Sequence, residues 1–427
     1  MPEPSPLRRS RSLRLTARGW ATLVAGAGCF MAAYPLGRAE LLVVGAFALL
    51  LSLGGLLVGR LRRPKLDVIR MFSPPVVSAG AIAHATLRVR NTGSATTPAL
   101  LWNDAIPWRE EQDAQLLAPI RIGSVEKRTA TIGYEVHPPR RGLFPIGPLV
   151  VEYADPFGMV RALTAIGGVD RLTVVPAVVD LPDGGPVLID GDGTAQLVQR
   201  RAVGNDDDLS TREYRFGDAL RRVHWRASAR HGELMVRQEE HRSHPDARIV
   251  IDTRLSGYPD AEPDLIGWPP SPLSESFEWA VRMLASLAVH LDEAGFRVEV
   301  RESAAQQIEP IGERWEGGQR IESFLTSLAA LRLLDRTGEG MPPAASADAA
   351  GPTFAVLGDA SEEVVDWVLR QRRPGQAGTA FLLGMRSSSR ERLVDAGWMC
   401  IDVTSRDDLA DAWRSSATEA GFIRGAH

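Results

Sequence analysis

Lysine is nearly missing from this 427-residue chain. It occurs only at Lys65 and Lys127, so almost every basic residue is an arginine. Basic and acidic side chains come close to balance, 49 against 53, for a formal net charge of -4 and a pI near 6.1. An acidic balance with no basic block in the soluble part lacks the one-sided Lys/Arg footprint that nucleic-acid binding requires, which argues against that class of partner. Cysteine is equally scarce. Cys29 lies in an apolar run and Cys400 in an apolar setting near the C-terminus, so neither a disulfide framework nor a zinc-spaced cluster exists, and a reducing compartment is the simpler reading.

What the chain does contain is two long uncharged apolar stretches, 19–37 and 41–59. Each is about 19 residues, near the length that crosses the hydrocarbon core of a bilayer. Only Arg38, Ala39 and Glu40 separate them, which forces an antiparallel hairpin with both ends on one side. Arg8, Arg9, Arg11, Arg14 and Arg18 precede the first stretch, and Arg60, Arg62, Arg63, Lys65 and Arg70 follow the second. By the positive-inside rule, residues 1–18 form a basic cytoplasmic tail, 19–59 a transmembrane hairpin, and the soluble part lies in the cytoplasm. A cleaved signal peptide is the competing reading. It fails on the second span that follows at once and on Gly26-Ala27-Gly28 before Cys29, which lacks the aliphatic residue of a lipoprotein cleavage site.

Residues 66–178 show short alternating runs broken by Pro, Gly and Asn-Thr-Gly. Residues 85–90 alternate with period two and end at Asn91-Thr92-Gly93, a turn signal; 129–136, 149–153 and 171–175 read the same way, which predicts an antiparallel β-sandwich of roughly immunoglobulin-like size. Residues 179–212, rich in Gly, Asp and Pro, read as a linker, with Asp206-Asp207-Asp208 as a solvated turn that lacks calcium-loop spacing.

From residue 246 to 427 strand-like and helical patterns alternate. Ile249–Ile251, Val298–Val300, Phe354–Leu357, Phe381–Leu383 and Ile401–Val403 are strand-like cores, several of them nearly unbroken apolar runs suited to parallel strands buried on both faces. Phe277, Val281, Leu284, Ala288 and Leu291 repeat at helical spacing behind a start at Ser274 and Glu275, and Ile321, Leu325, Leu328 and Arg332 repeat likewise. Five such units predict a doubly wound α/β domain with its ligand edge at the carboxyl ends of the strands, where Asp252 falls.

The densest segment, 213–245, carries Tyr214, Arg215, Gly217, Asp218, Arg222, His224, Trp225, Ser228 and Arg230, then Arg237 and Glu240. Guanidinium forks among carboxylates and aromatic rings suit an ion-pair network or a docking surface for a partner protein. An enzyme reading would make His224 a base, Ser228 a nucleophile and Asp218 the orienting carboxylate; no nucleophile elbow or oxyanion loop accompanies them.

The pattern Tyr-Arg-x-Gly-Asp-x-x-Arg-x-x-His-Trp-x-x-Ser-Ala-Arg, with Leu234-Met235-Val236-Arg237, Arg141-Gly142-Leu143-Phe144, Asp155-Pro156-Phe157-Gly158 and the paired spans, resembles the bacterial family catalogued as domain of unknown function 58. The resemblance implies a membrane hairpin, a β-sandwich and a von Willebrand factor A-like α/β domain. It also implies a MoxR-type AAA+ ATPase as partner, and in many cases a transglutaminase-like membrane protein. A magnesium-binding domain of that type carries Asp-x-Ser-x-Ser after its first strand, whereas here Asp252-Thr253-Arg254-Leu255-Ser256 places a cation where an oxygen ligand belongs. Asp252 and Ser256 therefore read as a degenerate site, with Asp359 as a later carboxylate. The expectation is a membrane-tethered, non-enzymatic adaptor that uses no cofactor; an enzyme acting through His224 and a metal-dependent binding module are the alternatives.

Overall fold

The computed structural model describes residues 12–61, 64–109, 114–155, 157–182, 211–213, 228–230, 232–237, 246–264, 266–267, 269–308, 318–335, 342, 351–373 and 376–416. The chain divides into two compact units, Met1–Val175 with Asp264–Ser271, and Pro176–Pro263 with Pro272–His427.

In the N-terminal unit, helices α1 (Ala17–Leu36) and α2 (Ala39–Leu61) are each long and apolar enough to cross a membrane. The Thr16 side chain accepts from the Gly19 N–H to cap α1, and Gly37 ends it in the left-handed region while the Arg38 N–H returns to the Ala33 carbonyl. The helices meet where they have no side chains: a Cβ on Gly45 would stand 2.8 Å from both the Gly26 carbonyl and the Phe30 nitrogen. Such small-residue contacts are how apolar helices approach closely without a hydrophobic driving force between them. Val24, Met31, Tyr34, Val43 and Leu50 face outward and exposed.

Eleven strands form the rest of this unit's described structure: β1 (Ser12–Leu15), β2 (Leu66–Ser73), β3 (Val76–Ser78), β4 (Ala83–Asn91), β5 (Leu100–Asp104), β6 (Gln115–Leu117), β7 (Thr129–Val136), β8 (Gly142–Ile146), β9 (Leu149–Ala154), β10 (Val160–Ile166) and β11 (Asp170–Val175). They make three sheets, ordered β1-β10-β9-β5-β6, β2-β4-β7 and β3-β11-β8, with β3 and β11 parallel and the other pairs antiparallel. Alternation along β4 drives the packing. Ala83 and Ala85 sit in the core with Phe144, Ile146 and Leu172, while Leu87 and Val89 pack with Trp102, Leu149 and Val151. At its end Asn91 accepts from the Gly93 N–H and donates to the Ala95 and Ile120 carbonyls, closing the turn.

Two sequence expectations need correction here. The segment before the first apolar stretch is not wholly a tail, because Ser12–Leu15 forms an edge strand on β10, with Arg14 opposite Arg161. Arg70 is not a cation flanking the membrane. It is buried, gripping Asp104 through Nε (2.7 Å) and Nη2 (2.6 Å) and Asp170 through Nη1 (2.5 Å). The Tyr134 hydroxyl donates to the same Asp104 carboxylate; burial, then the Asp104 charge, pushes the Tyr134 phenol well above its ordinary value.

In the C-terminal unit, β12 (Thr211–Glu213) pairs antiparallel with β13 (Met235–Arg237). A five-stranded parallel sheet is built from β14 (Asp246–Ile251), β15 (Arg297–Glu302), β16 (Thr353–Leu357), β17 (Gly378–Leu383) and β18 (Met399–Val403), ordered β15-β14-β16-β17-β18. Every residue of β16 and β17 is buried, as strands covered on both faces require. On one face Ile249, Ile251, Val356 and Phe381 pack against α3 (Glu275–Glu293) and α4 (Gly318–Ala330); on the other Val250, Ala355 and Leu382 pack against α5 (Glu362–Leu369) and α6 (Ser387–Asp395). Ser274 caps α3 by accepting from the Phe277 N–H at 3.0 Å. The helix α4 stops at Ala330, so Arg332 lies beyond it. The start of the expected linker is fixed in place: Leu181 joins the core, the Val179 N–H donates to Ser286 Oγ and Trp413 Nε1 donates to the Pro182 carbonyl. Most of 179–212 lies outside the described residues.

Candidate functional site

The order β15-β14-β16 means the chain leaves β14 toward one side of the sheet and later returns on the other. That reversal falls at the carboxyl ends of β14 and β16, the position at which open α/β sheets hold their ligands. Asp252 follows β14, Ser303 follows β15, and Gly358 and Asp359 follow β16.

Asp252 is fully buried, and its surroundings are closed. The Ser303 hydroxyl donates to Oδ1 and itself accepts from the Thr253 N–H at 3.0 Å, while the Arg254 N–H also donates to Oδ1 at 3.2 Å. The second oxygen, Oδ2, is buried with no hydrogen-bond partner and occupies the space a Cβ on Gly257 would need. Burial pushes the Asp252 carboxyl above its ordinary value, against the Ser303 and Arg254 hydrogen bonds and the Arg254 charge that pull it down. Tyr258, whose hydroxyl donates to the Asp252 carbonyl, seals the same loop from beneath.

Arginines hold the neighbouring positions. The Arg254 guanidinium is buried, donating from Nε to the Ser303 carbonyl at 3.3 Å and standing 3.9 Å from Glu363. Asp359 accepts from the Arg386 backbone N–H and from Nε at 3.0 Å. The Asp359 N–H donates to the Gly257 carbonyl at 2.7 Å, locking the β16 loop onto the β14 loop, and Gly358 is glycine because the Gly257 carbonyl fills the place of its Cβ. Ser256 is exposed on a 3-10 turn, Leu255–Gly257. Protein donors thus meet Asp252 Oδ1 and the Asp359 carboxylate, while the Arg254 guanidinium meets the Ser303 carbonyl and stands near Glu363. Among the described residues, no cluster of three or more His, Cys, Asp or Glu side chains could hold a metal ion.

Of the motif residues, Ser228 is placed by the structure. Its hydroxyl accepts from the Met235 N–H at 2.8 Å and its carbonyl from the Gly232 N–H at 2.9 Å, so it ties a short helical turn, 228–230, to the strand β13. Arg230 is exposed on that turn, and the Arg237 backbone pairs with Thr211. Tyr214, Arg215, Gly217, Asp218, Arg222, His224, Trp225 and Glu240 lie outside the described residues. Sequence reasoning missed Ser303, Gly257, Glu363 and Arg386. Ser303 had a usable signal, since it directly follows β15 just as Asp252 directly follows the neighbouring β14.

The family model described as "Protein of unknown function DUF58" matches residues 210–258. That span runs from β12 through the Asp252 loop to Tyr258, and it supports the family whose motif the chain resembles. No curated protein matches. Among solved structures, the chain is similar to the CARDB domain of a Pyrococcus furiosus protein in complex with di-metal ions, at 18% identity over 26% of this chain and 89% of that one, with a TM-score of 0.19. It is also similar to the Pseudomonas fluorescens alkylpurine DNA glycosylase AlkC bound to DNA, at 18% identity over 32% and 38%, TM-score 0.16. A third is a Paenibacillus cycloisomaltooligosaccharide glucanotransferase, at 13% identity over 79% and 53%, TM-score 0.19. Scores this low decide nothing about fold or activity.

Proposed function

We propose that this protein is a membrane-tethered, non-enzymatic adaptor, anchored in the cell membrane by the α1–α2 hairpin with its soluble part in the cytoplasm. Its partner would be a MoxR-type AAA+ ATPase, with a transglutaminase-like membrane protein as a further member of the assembly. The observation that supports the anchoring is the outer surface of the hairpin, since Val24, Met31, Val43 and Leu50 are 62%, 78%, 70% and 68% exposed, a belt of large apolar side chains that a bilayer would cover; the adaptor role and its partners rest on the family resemblance. The arginine-rich flanks, with Arg18 and Arg60 at the helix ends, support the cytoplasmic orientation.

The C-terminal unit reads as a von Willebrand factor A-like domain that works as a protein-binding module without a metal. Its parallel sheet and the Asp252 position support the type, and the Arg254 guanidinium beside that carboxylate supports the loss of the metal. The 213–245 segment is either its docking surface or an internal ion-pair network. The test is capture from membranes: full-length protein and the ATPase locked in its ATP-bound state should co-purify, and Arg222→Lys should weaken capture because an ammonium cannot reproduce a guanidinium fork. Turnover of a substrate that is lost in a folded His224→Ala protein, with capture intact, would favour an enzyme instead.

A further inference from the structure

The turn between β9 and β10 joins no two sheets of the core; it is fastened to the ends of the helical hairpin. The Thr16 hydroxyl donates to the Gly158 carbonyl at 2.7 Å, and the Thr16 N–H donates to the Met159 carbonyl at 2.9 Å. Met159 packs against the first turns of α1, where the Thr22 hydroxyl reaches its Sδ at 3.6 Å and the Met159 carbonyl fills the place of a Gly19 Cβ. On α2, a Cβ at Gly55 would stand 3.3 Å from both Met159 Cβ and Asp155 Oδ2. Gly55 precedes Leu61, the last residue of α2, by about 9 Å at the helical rise per residue. Arg18 and Arg60 mark the helix ends, so Gly19, Thr22 and Gly55 all lie on the apolar side of those charges.

The turn is also sorted by polarity. Its one charged side chain, Asp155, is buried, accepting from the Phe157 N–H at 3.0 Å and the Val160 N–H at 2.6 Å. Its one aromatic side chain, Phe157, is 58% exposed. Gly158 takes a φ of 69°, the left-handed conformation that lets the chain reverse with the carboxylate inside and the ring outside. The exposed Phe157 ring, like that of Trp20, itself 56% exposed on the first turn of α1, fits the aromatic belt of a membrane interface.

We propose that Phe157 inserts into the bilayer interface, making the β9–β10 turn a third membrane contact that holds the strands of the N-terminal unit against the lipid surface. This rests on the reading of α1 and α2 as spans. The test places a nitroxide at residue 157 (Phe157→Cys) in the full chain, carrying Cys29→Ser and Cys400→Ala, in nanodiscs of zwitterionic phospholipid. Met31→Cys serves as the span reference and Val125→Cys as the exposed-loop reference. Far-UV circular dichroism and thermal unfolding first confirm that each labelled protein is folded. Collision with oxygen and with a water-soluble nickel chelate should place residue 157 between the two references, with nickel accessibility at least several-fold below that of residue 125. Residue 157 matching residue 125 while residue 31 stays protected would overturn the insertion and leave the spans standing. All three sites open to nickel would overturn the spans and the insertion together.

Discussion

The carbonyl oxygen of Met159 occupies the space that a Cβ on Gly19 would need, so the first turn of α1 and the β9–β10 turn fit only while residue 19 is glycine. Gly19→Ala should therefore push the helix base off the strands and cost roughly 1–3 kcal/mol, as overpacking does. Gly54→Ala is the control. Nothing lies within 4 Å of its would-be Cβ, so its melting temperature should stay at the wild-type value or rise slightly, as alanine favours a helix interior over glycine. Thermal unfolding of both proteins in the same detergent compares them; equal melting would show that the close approach does not bind helix to strand.

Arg70 and Asp104 each have only 1% of the side chain exposed. Truncating one strands the other, so Arg70→Ala should destabilise by about 3–5 kcal/mol. Arg70→Lys should fall between, since a point charge cannot satisfy Asp104 through two parallel bonds. Chemical denaturation reads the series. A loss below about 0.5 kcal/mol in Arg70→Ala, the level of an ordinary surface change, would contradict the buried network.

The raised Asp252 carboxyl sets a pH dependence whose sign can be worked out. The folded state holds the proton more tightly than the unfolded state does. Stability contributed by this group is full below the unfolded carboxylate range and is lost as pH rises toward the folded value. Asp252→Asn removes that loss, so the stability of the variant relative to wild type should improve steadily from acidic to neutral pH. Melting curves measured from pH 4 to pH 8 check it; a difference that shrinks as pH rises would reverse the assignment.

Magnesium should bind the wild-type protein weakly or not at all, because the Arg254 guanidinium lies against the loop that would have to hold it. Arg254→Ser should strengthen binding. Isothermal titration of the full chain decides the matter. Wild-type binding with a Kd of ~1 mM or tighter, abolished by Asp252→Ala, would mean that the loop accepts a cation despite its arginine.

How far these features were legible depends on how local their causes are. The buried strands of the parallel sheet are visible in sequence because burial on both faces leaves unbroken apolar runs such as Phe354–Leu357. The alternation through Ala85, Leu87 and Val89 is visible for the matching reason, one buried face and one exposed. The paired helices follow from length and hydropathy alone. Features made by distant partners were hidden. Ser12–Leu15 is four residues in a basic stretch, and only β10, far along the chain, makes it a strand. Arg70 looks like one more flanking cation until Asp104 and Asp170 close around it. Asp252 was legible as a strand-end carboxylate, but its enclosure by Ser303 and Gly257 depends on loops brought together by the sheet order.

If α1 and α2 span a membrane as proposed, the side on which the rest of the chain stands decides whether a cytoplasmic ATPase can reach it. A phosphatase reporter that is active only in the periplasm, fused after His427, measures this directly in intact cells, with a reporter that fluoresces only in the cytoplasm as its complement. A cytoplasmic soluble part predicts a silent phosphatase and a fluorescent partner fusion. Strong phosphatase activity with a dark complement would contradict the orientation and remove the basis for the proposed ATPase partnership.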